Sequence, residues 1–129
     1  VQWILKVKSN IDSGQFKPMQ HAAVEALKAP KEWYDNMNRT YRSRRDLAGQ
    51  IMHAIGCTYD ENQVGMFLWG KIPASCKDVE ELTEKVLHEA RVFITPGFIF
   101  GSNGARYIRI SLCCKDNKLA EALERIKRI

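Results

Sequence analysis

No stretch of this 129-residue sequence approaches the about 20 consecutive apolar residues that a membrane-spanning helix needs, and no signal-peptide or lipidation pattern occurs in it. The expectation is a cytoplasmic protein with no membrane partner. Internal repeats and low-complexity tracts are also missing, which sets aside solenoids and disordered linkers. Cysteine and histidine are sparse and badly placed for a metal. Cys57, Cys76, Cys113 and Cys114 have no ligand spacing, and neighbours Cys113 and Cys114 should point to opposite faces of a strand. His21, His53 and His88 are scattered, so no zinc site is expected and the thiols should be reduced. The net charge of +5 would suit an anionic partner, yet acids alternate with bases nearly everywhere. The densest basic run, Arg42-Ser43-Arg44-Arg45-Asp46, contains its own acid and spreads around a helix. That favours a solvated face over a nucleic-acid surface.

What remains is a chain of single-domain size, 45% hydrophobic, able to bury a core. Its first residues, Val1 to Lys8, have strand character with no initiating methionine and no turn before them. An excised fragment with an exposed sheet edge is therefore expected. The cluster Ser9-Asn10-Ile11-Asp12-Ser13-Gly14 predicts a turn, and Pro18 predicts a helix over 19–28. Pro30 and Gly56 bracket the longest element, a helix of about 37 Å. Trp33, Met37, Tyr41, Leu47, Ala48, Ile51, Met52 and Ile55 mark its core face, broken around Arg44. A strand is expected over 64–73, ended by Pro73. Asp78 and Glu81 form a capping box for the next helix, and Asp116 should cap the last one, whose stripe is Leu119, Leu123 and Ile126.

Residues 92–114 read as strand, glycine-rich turn, strand. Val92 to Thr95 is β-branched, Pro96-Gly97 breaks it, and Gly101 to Gly104 allows a reversal. In the second strand Ile108, Ile110 and Leu112 fall on one face and Tyr107, Arg109 and Ser111 on the other. Arg109 is thus mid-strand on the polar face, where a rigidly held guanidinium can grip a carboxylate through two parallel hydrogen bonds. A solvated arginine is the plain alternative. Arg106, nearer the turn, is expected to be solvated.

The order Phe93-Ile94-Thr95-Pro96-Gly97, Phe100-Gly101, Gly104, Tyr107-Ile108-Arg109-Ile110-Ser111-Leu112 resembles the C-terminal signature of class I/II (fold type I) pyridoxal-phosphate aminotransferases. The segment from Lys8 through Phe16, with Gln20 and Ala22-Ala23, resembles the stretch just after the cofactor lysine in the aspartate, alanine and LL-diaminopimelate branch. This resemblance implies that Arg109 binds the substrate α-carboxylate and that Asn10 reaches the neighbouring subunit's site in a homodimer. An asparagine capping a turn is the equal alternative for Asn10. It implies a remnant of the large cofactor-binding domain over 1–29, an interdomain helix over 30–56, and the C-terminal small domain over 57–129. The fold class implied is α/β (α+β): a two-layer sandwich, a small mostly antiparallel sheet with helices on one face.

The implied activity is ping-pong transamination between an α-amino acid and a 2-oxo acid with pyridoxal 5'-phosphate. The cofactor lysine would lie upstream, so no catalytic residue is expected in this stretch and the stretch alone should be inactive. Two other readings stay open. One is a small regulatory domain binding a free amino acid through Arg109. The other is an RNA-binding α/β module, weakened because the segment 104–111 offers only Tyr107 for stacking.

Overall fold

The computed structural model describes residues 1–11 and 14–129, and the chain divides into two compact units, Val1–Met37 and Asn38–Ile129. Asp12 and Ser13 of the expected turn lie outside the described residues.

The first unit is helical. Gln2–Ile11 forms helix α1, which corrects the strand and exposed sheet edge expected over the first eight residues. Alternation was too short to fix the period: Trp3, Ile4, Val7 and Ile11 recur at helical spacing, and together they line an open groove on α1. Ser9 and Asn10 belong to this helix rather than to a turn. Helix α2 spans Lys17–Leu27, with Pro18 in its first turn, where a missing N–H costs nothing. Neither helix buries a residue. Helix α3, Lys31–Ala54, begins in this unit, where Trp33 meets Tyr34 edge-to-face and the Tyr34 hydroxyl donates to the Ala26 carbonyl at 3.1 Å. Trp33 stays mostly exposed, so the expected core face of α3 is real only in its second half.

The second unit holds the sheet. Strand β1 is Phe67–Lys71, β2 is Thr95–Pro96 and β3 is Tyr107–Ser111, in the order β1-β3-β2 and wholly antiparallel. Helix α4 is Val79–Ala90 and helix α5 is Asp116–Ile126. Leu68, Ile72, Ile108, Ile110 and Leu112 project from one sheet face into a core shared with Ala48, Ile51 and Met52 of α3, Val79, Leu82 and Val86 of α4, and Leu119, Leu123 and Ile126 of α5. Burying each large side chain contributes about 1.5–3 kcal/mol, which is why alternation fixes the strand's orientation. Gly70 leaves room on this face for Met52, whose sulfur a Cβ there would meet at 2.6 Å and force to shift. The result is a two-layer α/β arrangement with a small antiparallel sheet.

Local signals account for most boundaries. Gly56 ends α3 at φ 72°, a left-handed conformation that glycine adopts at no steric cost. Asp78 caps α4 by accepting from the Glu81 N–H at 2.9 Å, while the Glu81 carboxylate accepts from the Lys77 N–H at 2.7 Å. Three expectations are corrected. Asp116 does not cap α5: Lys115 holds that position without a side-chain bond, and Asp116 instead accepts from the Ser43 hydroxyl at 2.7 Å and Arg44 Nε at 3.0 Å. A tertiary partner outcompeted the local cap. Cys113 and Cys114 do not straddle a strand, because β3 stops at Ser111, and both are exposed. The stretch 92–95 is a strand only at Thr95, and the reversal is made by two short 3₁₀ turns, Gly97–Phe100 and Ser102–Gly104.

Candidate functional site

The sheet's second face carries the site. Direct cross-strand partners share a face, and Trp69 pairs with Arg109, Lys71 with Tyr107, Phe67 with Ser111 and Thr95 with Arg109. Arg109 therefore sits on the central strand with neighbours on both sides, a backbone position that cannot shift without breaking two ladders. The edge of β1 is itself secured: Gln63 imitates a further strand, its amide nitrogen donating to the Trp69 carbonyl at 2.7 Å and its oxygen accepting from the Trp69 N–H at 2.9 Å.

Above the sheet the rings form a continuous row. Trp69 stacks on Tyr107 with centroids 5.5 Å apart and planes 15° from parallel, and meets Phe100 edge-on at 5.8 Å. The Arg109 guanidinium carbon lies 4.0 Å from the Phe100 centroid and 4.2 Å from that of Phe67. Its N–H groups donate to no protein acceptor among the described residues, and no carboxylate there pairs with it.

This sets Arg109 apart from the other partly buried arginines, Arg44, Arg45 and Arg106. Arg44 is held by Asp116 and the Leu112 carbonyl, and Arg45 donates to the Gly65 carbonyl. Arg106 was expected to be solvated and is not. It donates to the Cys76, Lys77 and Pro73 carbonyls, each at 2.8 Å, and so pins the loop after β1. Residue spacing could not reveal this, because all three acceptors are backbone atoms about thirty positions away.

Arg109 also lines a groove of about 300 Å³ together with Thr95, Ser111, Phe93, Cys114 and Lys118. The groove is lined mostly by apolar side chains, with the hydroxyls of Thr95 and Ser111 among them, and the unpartnered guanidinium of Arg109 between Phe67 and Phe100 suits a small carboxylate. Asn10, the other candidate, belongs to the first unit, is exposed, and donates from its side-chain amide to the Lys6 carbonyl one turn back at 2.8 Å. Phe67 and Phe100 are the neighbours that motif reading missed. Alternation along β1 could have placed Phe67 beside Trp69, whereas nothing local locates Phe100, which comes from a 3₁₀ turn.

A family model described as aminotransferase class I and II matches residues 1–126. An LL-diaminopimelate aminotransferase from Desulforudis audaxviator is 36% identical over 98% of this chain and 32% of its own length. Among solved structures, substrate-bound BacF from Bacillus subtilis shares 30% identity at a TM-score of 0.74, over 98% of this chain and 33% of that one. The aromatic aminotransferase from Pyrococcus horikoshii OT3 shares 32% identity at a TM-score of 0.70, over 84% and 30% respectively. The chain spans about a third of the length of the curated relatives it matches. With the antiparallel sheet and its arginine in place, these matches establish that the chain belongs to the aminotransferase class I and II family.

Proposed function

We propose that this chain is the C-terminal part of an aminotransferase that exchanges an amino group between an α-amino acid and a 2-oxo acid, and that Arg109 binds the substrate's α-carboxylate. The observation that carries this reading is the partly buried Arg109 guanidinium, rigidly mounted and left without a hydrogen-bond acceptor among the described residues. A guanidinium in that state has its donor edge available, and two parallel N–H···O bonds would fix both the position and the rotation of a carboxylate. Holding the carboxylate orients the bonds at Cα.

Pyridoxal 5'-phosphate, the family's cofactor, is not accommodated by the groups around Arg109. Thr95, Ser111 and the aromatic rings supply neither an amine nor a carboxylate, and the one lysine in the groove, Lys118, is engaged by Glu121 at 3.1 Å. In this reading the cofactor is held mainly by the rest of a full-length enzyme, and this part receives the carboxylate end of the substrate. The same reading makes 1–29 a remnant of the large domain, 30–56 the interdomain helix and 57–129 the small domain. It also makes the enzyme a homodimer in which Asn10 serves the neighbouring subunit's site. A cytoplasmic setting goes with it, and no helix of the described residues is long and apolar enough to cross a membrane.

Substitution of Arg109 in the full-length enzyme tests the carboxylate role. Breaking one side of a partly desolvated charge pair costs on the order of 3–5 kcal/mol, so Arg109→Ala should lower kcat/KM for amino acids by roughly 10²- to 10³-fold or more. Arg109→Lys should be nearly as damaging, since it keeps the charge and loses the planar fork. Amines without a carboxylate should react equally with variant and parent. A folded Arg109→Ala enzyme with unchanged kcat/KM for amino acids would remove the role.

A further inference from the structure

We infer that Phe67 and Phe100 are positioning residues for the Arg109 guanidinium, holding its plane so that its donor edge meets the substrate carboxylate in one orientation. The inference rests on the carboxylate role proposed for Arg109 and adds what sets that arginine's geometry. Both ring centroids lie within 4.2 Å of the guanidinium carbon, closer than the about 6 Å at which such contacts become significant. A guanidinium has apolar, weakly hydrated faces and carries all its donors in its plane. Rings this close displace water from the guanidinium and restrict its rotation, while offering its N–H donors no competing carboxylate or carbonyl.

The two rings are held by different parts of the fold. Phe67 comes from β1, diagonal to Arg109 across the ladder in which Phe67 opposes Ser111 and Trp69 opposes Arg109. Phe100 ends the Gly97–Phe100 turn and makes an edge-type contact with Trp69, their centroids 5.8 Å apart. Both rings stay substantially exposed, 38% and 48%, so neither is explained as core packing. What they have in common is the arginine, and among the described residues no hydrogen bond orients that group in their place.

The test uses the full-length enzyme with Phe67→Leu, Phe100→Leu and the corresponding tyrosine variants. Each leucine variant should lose roughly 5- to 30-fold in kcat/KM for α-amino acids, and each tyrosine variant, which keeps a ring, should stay within about 3-fold of the parent. Binding of a 2-methyl amino acid, which has the carboxylate but no α-proton to lose, should weaken by the same factor when measured by calorimetry. Amines lacking a carboxylate should be unaffected, and Phe67→Leu should cost nothing further in an Arg109→Ala background. Leucine variants that fold and keep parental kcat/KM and Kd, while Arg109→Ala remains damaging, would overturn the positioning role and leave the carboxylate role standing. A harmless Arg109→Ala would remove both. An equal loss for carboxylate-free amines would show general packing and also overturn the inference. Should leucine at 67 prevent folding, Phe100→Leu, on an exposed turn, decides the matter alone.

Discussion

Gly97 and Gly104 pack backbone against backbone: a Cβ on Gly97 would lie 2.5 Å from the Gly104 carbonyl oxygen and 2.6 Å from that of Tyr107. Both glycines are buried, and neither has a positive φ, so close approach rather than backbone freedom requires them. The obstacle is main chain, which cannot swing aside as a flexible side chain could. Gly97→Ala and Gly104→Ala should each destabilise the second unit by about 1–3 kcal/mol, measured by denaturant unfolding. Gly101→Ala meets no neighbour and is disfavoured only through its φ of 120°. All three should disturb Phe100 and hence Arg109.

Arg106→Ala is expected to be destabilising by about 1–3 kcal/mol, because the partly buried carbonyls of Pro73 and Cys76 and the exposed one of Lys77 lose a charged donor together. Arg106→Lys should recover only a fraction, since one ammonium cannot reproduce a fork spanning three acceptors. Thermal unfolding of both variants checks this. An Arg106→Ala chain as stable as the parent would mean that the clamp contributes nothing.

Acid should weaken the second unit through Asp116. Its carboxyl is held below the ordinary aspartate range, first by the Ser43 hydroxyl and then by the Arg44 guanidinium. A depressed folded-state pKa gives stability that is fully present above the unfolded value of about 3.9 and is lost as pH falls through the lower folded value. Asp116→Asn should therefore melt earlier than the parent at neutral pH, with the difference shrinking as pH drops below about 4. A constant difference down to about pH 2 would exclude this linkage.

Alkylation should rank the thiols. Cys57 is 2% exposed and burial, with a smaller contribution from Cys76, pushes its pKa up to about 12. Cys113 and Cys114 are exposed beyond the end of β3. Iodoacetamide at about pH 8 should label Cys113 and Cys114 first and Cys57 only on unfolding, with mass spectrometry identifying the modified peptides.

Several features are legible in sequence alone because their causes are local. The α3 stop at Gly56, the Asp78 cap and the alternation of β3 each depend on residues within one turn or one pleat. That last pattern also places Arg109 on the open face. Where the deciding partner is distant, local reading goes astray. Residues 2–10 have β-branched and aromatic members but lie in a helix. Asp116 looks like a cap and is drawn to Ser43 and Arg44, and Arg106 looks solvated and is anchored to three carbonyls. Most of all, the chain's order names Arg109 without saying what surrounds it. Phe67 lies far upstream on another strand and Phe100 sits in an irregular turn, so only the antiparallel register and the packing of Gly97 on Gly104 bring both rings to one guanidinium.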